Sequence, residues 1–114
     1  IIVTTPQNVS LQDSRRGLAM FKQMNIPILG VIENMTYFIP PDQPEKFYEI
    51  FGSGGGKQLA KENNVPLLAQ IPIESDIYSG TGNDLPVVHT SPDSITAKVF
   101  LELAETLCNS LSIK

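Results

Sequence analysis

With 114 residues, 41% of them hydrophobic, the chain suffices for one modest domain. A net charge of −4 and a pI of about 4.8 argue against a nucleic-acid role, which favours a basic patch. No apolar run approaches the roughly 18 residues of a membrane span, no signal peptide is visible at the start, and Cys108, the one cysteine, excludes an internal disulfide and any Cys-only metal site within one chain.

Ile1 to Thr4 reads as a first buried strand, with Thr5-Pro6-Gln7 as its turn. It has no lead-in and no initiator Met, so we expect the chain to be a piece of something longer. Ser10 with Asp13 three residues on predicts a capping-box helix start. Leu11, Leu18 and Phe21 share one face of that helix, which should stop near Asn25, before Pro27. Ile28 to Ile32 is a near-continuous apolar run, the pattern of a short strand buried on both faces.

Glu33 and Asn34 stand where that strand should emerge at its carboxyl end. In open parallel α/β sheets ligands bind outside the carboxyl ends of strands. An Asn side chain offers one acceptor and two donors, the pairing that suits an adenine edge. The plainer alternative is that Asn34 only caps a turn, a common use of Asn.

Thr36 to Ile50 reads as a loop, with Pro40, Pro41 and Pro44 forbidding a helix. Tyr37, Phe38, Phe47, Tyr48 and Phe51 flank it. Either the loop is packed down by its own aromatics or the cluster marks a partner or dimer surface. Gly52-Ser53-Gly54-Gly55-Gly56-Lys57 does not qualify as a phosphate loop. That motif needs its first Gly where Phe51 stands, a Ser or Thr where Gln58 stands, and a strand before it. The segment reads instead as a lead into a helix from about Gly55 to Asn63, with Leu59 and Ala60 inward.

Leu67 to Ile71 predicts the third strand, closed by Pro72, and Ile73 to Tyr78 a short helix at that strand's carboxyl end. Leu85 to Val88 reads as a fourth extended piece. Ser91-Pro92-Asp93 is a helix start by cap, first-turn proline and dipole. Ile95, Val99, Leu103 and Leu107 then form an apolar stripe, widened by Phe100, Ala104 and Cys108. Cys108 reads as a core residue and His89 as a surface one. The alternation of strands and helices predicts an α/β fold, a parallel sheet with helices on both faces.

Several stretches together carry a family resemblance: Val3-Thr4-Thr5-Pro6-Gln7, Arg16-Gly17-Leu18 with Met20-Phe21, Gly30 to Met35, and Phe51 to Gly56. Ile71-Pro72-Ile73, Gly82 with Pro86-Val87, and Ser91 to Ser94 belong to the same set. In order and spacing the chain resembles the second half of the ATPase domain of the Mrp/ApbC P-loop ATPases, deviant-Walker relatives of MinD and ParA. The resemblance implies a partial P-loop NTPase fold over residues 1–114, the C-terminal portion of a larger domain. It also implies an ATP-binding iron–sulfur cluster carrier, a Mg-ATP hydrolase when whole, working as a homodimer that passes a [4Fe–4S] cluster to apo client proteins. A cytoplasmic setting, or an organelle stroma or matrix, follows from that resemblance. By the same resemblance Asn34, with Glu33, lies by the adenine, and Pro72, Ile73, Glu74 and Asp76 line the base pocket from the other side.

Two departures qualify it. The phosphate loop, the Mg²⁺-binding residues and the switch regions lie upstream in that family, so this stretch alone should not hydrolyse ATP. A preceding G-K-G-G-[VI]-G-K-[ST] is what the resemblance requires. Many members also carry Cys-x-x-Cys before the F-G-x-G-G-G stretch, bridging a cluster between subunits. Pro40 and Gln43 occupy those positions here and cannot ligate iron, and Cys108 is far away. Two other readings compete: a non-catalytic dimerisation or client-binding α/β module, and a ParA/MinD-like positioning ATPase. Leu103 to Leu111 looks committed to the core rather than to a membrane, which counts against the MinD-like version.

Overall fold

A computed structural model describes residues 1–75, 77 and 85–112. Its elements are β1 (Ile2–Thr4), α1 (Asn8–Gln23), β2 (Val31–Phe38), α2 (Gly55–Glu62), β3 (Leu67–Ile73), α3 (Val87–Thr90) and α4 (Ile95–Ser110). The three strands are parallel, in the order β1-β2-β3. The α/β fold with a parallel sheet covered on both faces is therefore as expected.

Alternation along β2 sorts its side chains between two cores. Val31 joins Ile2, Leu11, Leu18, Leu59 and Ala60 under α1 and α2. Ile32, one residue on, joins Ile71 and Leu103 under α4, with Leu68, Ala69, Val99 and Leu107 around them. Two crossovers that step the same way across a sheet put their helices on one face, as right-handed connections require. Burying a leucine as fully as Leu18 and Leu59 contributes about 1.5–3 kcal/mol each. Gly30 lets β2 begin close against β3: a Cβ there would lie 2.6 Å from the Leu68 side chain and 2.7 Å from the Pro66 carbonyl. Outside the core, Arg15 on α1 donates two hydrogen bonds, 3.0 and 3.1 Å, to the Glu62 carboxylate on α2.

Several boundaries differ from the sequence reading. α1 starts at Asn8 rather than at Ser10, and its N-cap Gln7 makes no side-chain cap bond. Ser10 instead accepts from the Thr5 amide at 2.9 Å and meets the Thr4 hydroxyl at 3.1 Å, so it ties the helix to the strand end. β2 runs on through Phe38, because Phe38 and Tyr48 exchange backbone hydrogen bonds as an antiparallel bridge. Part of the expected loop is thus a short arm. Pro72 lies inside β3 rather than ending it, and it is fully buried.

The fourth extended piece, Leu85 to Val88, is not a strand. Pro86 is the extended N-cap of a single helical turn, and its carbonyl accepts from His89 and Thr90. His89 is exposed on that turn, as expected. The cap of α4 is Ser94, not Ser91: its hydroxyl accepts from the Ala97 amide at 3.1 Å. The short helix expected over Ile73 to Tyr78 falls partly outside the described residues. What is described is one turn, with the Ile77 amide donating to the Glu74 carbonyl.

Candidate functional site

The rim where the regular β2–β3 pairing breaks, near the carboxyl end of β3, collects most of the residues that the sequence singles out. Asn34 pairs in register with Ile71, so it stands beside the start of Pro72-Ile73-Glu74. Its side chain is half-buried, on the same face of the sheet as Ile32's neighbours. Asn34 Oδ1 accepts from the Met35 amide at 2.9 Å, so the turn-capping alternative is realised. It does not exhaust the side chain. Oδ1 keeps a second lone pair, and among the described residues Nδ2 donates no hydrogen bond.

Just beyond Asn34 the ladder breaks. From Asn34 to Phe38 β2 advances four residues while its partners Ile71 and Ile73 are two apart. Met35 takes up the excess at φ 55°, a left-handed conformation, and is exposed. A bulge of this kind bends a strand and re-aims side chains at a sheet's rim.

Glu33 and Asn34 adjoin in sequence but face opposite ways, as strand alternation demands. Glu33 turns towards α2 and is 1% exposed. Its Oε2 accepts from the Gly56 amide at 2.6 Å. Its Oε1 accepts from the Thr36 hydroxyl and, at 3.3 Å, from Gln70 Nε2. The structure therefore does not bring the Glu33 carboxylate to Asn34's side of the rim. Burying an ionisable group costs several kcal/mol unless hydrogen bonds replace its water, in the order of magnitude of charge burial; here three donors do so.

Glu74 is likewise engaged. Its Oε1 accepts from the Thr96 amide at 2.6 Å, in the first turn of α4. A carboxylate on orphan amides at a helix's positive end is favourable. Ile73 is half-buried on the rim, and Asp76 lies outside the described residues. Sequence reasoning missed Thr36, Gln70 and Gly56 as partners of Glu33. Only the glycine left a signal, in a run of three that the failed phosphate-loop reading did not explain.

The arm after β2 exposes much of its aromatic surface. The Tyr37 and Phe47 rings pack in a tilted pair, centroids 5.3 Å apart at 57°. Yet Phe47 is 61% exposed and Tyr48 49%, with Ile50 beside them also exposed. Pro40 and Gln43 are joined in a tight turn, the Gln43 amide donating to the Pro40 carbonyl at 3.2 Å. Among the described residues no three His, Cys, Asp or Glu side chains converge as metal ligands. Cys108 is half-buried on α4. The donor set of this arm does not fit an iron–sulfur cluster. No helix among the described residues is long and apolar enough to cross a membrane.

The sequence model of the ParA family, described as NUBPL iron-transfer P-loop NTPase, matches residues 1–108. The chain is 49% identical over 113 residues to an iron–sulfur cluster carrier protein of Synechocystis sp., covering 99% of this chain and 32% of the relative. It is 40% identical over 111 residues to an Arabidopsis thaliana mitochondrial iron–sulfur protein required for NADH dehydrogenase, covering 97% of this chain and 35% of that one. Among solved structures it resembles the cell division ATPase MinD of Pyrococcus furiosus, with TM-score 0.69 and 28% identity over 92% of this chain and 40% of that one. The septum site-determining protein MinD of Pyrococcus horikoshii, complexed with Mg-ADP, gives the same TM-score at 27% identity, again over 92% of this chain and 40% of that one. The chain thus spans about a third of the length of these curated relatives. By the family match and by identity over nearly all of its own length, the chain belongs to the ParA/NUBPL iron-transfer P-loop NTPases.

Proposed function

We propose that this chain is the base-side part of an ATP-binding iron–sulfur cluster carrier, the C-terminal portion of a larger nucleotide-binding domain. The observation that carries the reading is the Asn34 amide, with unspent donors, on the rim beside Pro72, Ile73 and Glu74. Asn34 reads the adenine edge there, Ile73 supplies apolar contact, Glu74 closes the pocket's far side, and the fully buried Pro72 backs it without touching the base. Mg-ATP would be gripped mainly by residues beyond this stretch, since a phosphate loop and its lysine supply most of that hold. Support for a larger domain comes from β1, a sheet edge whose Val3 is 58% exposed, with Ile1 exposed next to it. An apolar edge strand of this kind wants a neighbour.

The cluster is the cargo, handed to apo iron–sulfur proteins. Its ligands come from elsewhere in the assembly, because this arm offers none. The exposed Phe47, Tyr48 and Ile50 suit a homodimer contact or client docking. A reducing compartment, cytoplasm or organelle matrix, agrees with the lone thiol. The test is Asn34→Ala in the full-length protein. ATP binding weakens by about 1–3 kcal/mol, the worth of a good bidentate base contact. An unchanged dissociation constant removes Asn34 from the site.

A further inference from the structure

We infer that Glu33 is a positioning residue for base recognition: its carboxylate, fastened to α2, imposes the strand-end bend that aims the Asn34 amide. The inference rests on the base-side reading and deepens it by naming what sets its specificity.

The Thr36 hydroxyl donates to Glu33 across an interval of three residues. The two residues bracketed by that bond are Asn34 and Met35. Met35 holds φ 55°, a conformation that residues with a side chain keep only where the surroundings impose it. The constraint comes from the opposite face of the sheet. Glu33 Oε2 is held by the Gly56 amide at 2.6 Å, and Gln70 on β3 donates to Oε1 at 3.3 Å and to the Thr36 hydroxyl at 3.4 Å. One carboxylate thus joins the bend, the next strand and the first turn of α2. The joint leaves no slack: a Cβ at Gly56 would lie 2.8 Å from both Glu33 Cβ and Oε2. This explains a glycine there without any phosphate. Glu33 touches no base in this arrangement; it acts through Asn34.

The chemistry makes the role separable from mere stability. Both Glu33 oxygens accept hydrogen bonds, whereas a Gln side chain has one acceptor oxygen. Glu33→Gln therefore keeps the volume and releases part of the fastening. Gly56→Ala displaces Glu33 from a distance in sequence. Gly55→Ala is the control: its Cβ would meet Leu11 at 2.8 Å and the Pro6 carbonyl at 3.1 Å, and not Glu33.

The experiment compares ATP with GTP affinity and melting temperature in the full-length protein. Glu33→Gln and Gly56→Ala each reduce the preference for ATP over GTP about tenfold, in the range of one lost base contact. Gly55→Ala lowers the melting temperature and leaves the preference in place. Should Glu33→Gln fail to fold, Gly56→Ala and Thr36→Val carry the same test. The positioning role is overturned if the Glu33 and Gly56 variants behave like Gly55→Ala, losing stability but not preference. If Asn34→Ala still abolishes the preference in that case, the base-side reading stands alone. If Asn34→Ala leaves the preference intact, both fall together.

Discussion

Val31, Ile32, Glu33 and Asn34 occupy four successive positions, and each meets a different environment: one core, the other core, a helix terminus, and the rim. Single changes in this region should separate cleanly. Leu18→Ala and Leu59→Ala, at sites with 1% and 0% exposure, each cost about 2–5 kcal/mol by lost transfer energy and a residual cavity. Denaturant midpoints with an unchanged slope check this. That the regular strand ladder gives out at Asn34 was legible from the apolar run before it. The destination of Glu33 was not. Nothing local to Glu33 announces a partner 23 residues away, and the Gly56 amide carries no side-chain signature.

Among the elements, the helices show how far local signals reach. Ser91 reads as the cap because Pro92 and Asp93 follow it, yet Ser94 also precedes the apolar stripe. The structure chooses Ser94, so Ser94→Ala should cost α4 about 0.5–2 kcal/mol of stability, as N-cap removals do. Ser91→Ala, not the cap, should cost less in the same thermal melts. The tie between α1 and α2 is electrostatic and exposed. The hydrogen bonds from Arg15 hold the Glu62 carboxyl below its ordinary range, and Glu62 in turn raises Arg15. A carboxyl whose folded value is depressed stabilises the fold above its unfolded value. That contribution is lost as pH falls through the folded one. The stability gap between wild type and Glu62→Gln should therefore be small at neutral pH and close in acid. A gap that persists below the carboxylate range would deny the pair that role. Strand limits were the least legible part. Pro72 reads as a stop in sequence, yet β3 carries it buried next to Ile71 and on to Ile73. Leu85 to Val88 reads as extended because Pro86 is, but the residues after it close a turn.

At the level of the whole molecule, two crossover helices on one face and α4 on the other make the parallel sheet that strand–helix alternation predicts. That much was legible because hydrophobic periodicity reports burial, and burial is what defines layers. On the proposed function, this stretch alone should hold ATP poorly, since phosphate contacts supply most of the grip. Titration calorimetry with the 114-residue chain is expected to show weak or no binding, and micromolar affinity would contradict that division of labour. Likewise, reconstituting the chain with iron and sulfide should give no visible cluster absorbance, because Pro40 and Gln43 carry no thiol and Cys108 offers a single thiolate per chain where a cluster takes four.

The aromatic arm has an optical consequence. The chain contains no tryptophan, and two of its three tyrosines, Tyr37 at the end of β2 and Tyr48 opposite Phe38, lie at the base of that arm. Its native ultraviolet emission therefore comes in large part from the base of that arm. A molecule that settles there should change that fluorescence, with no label added.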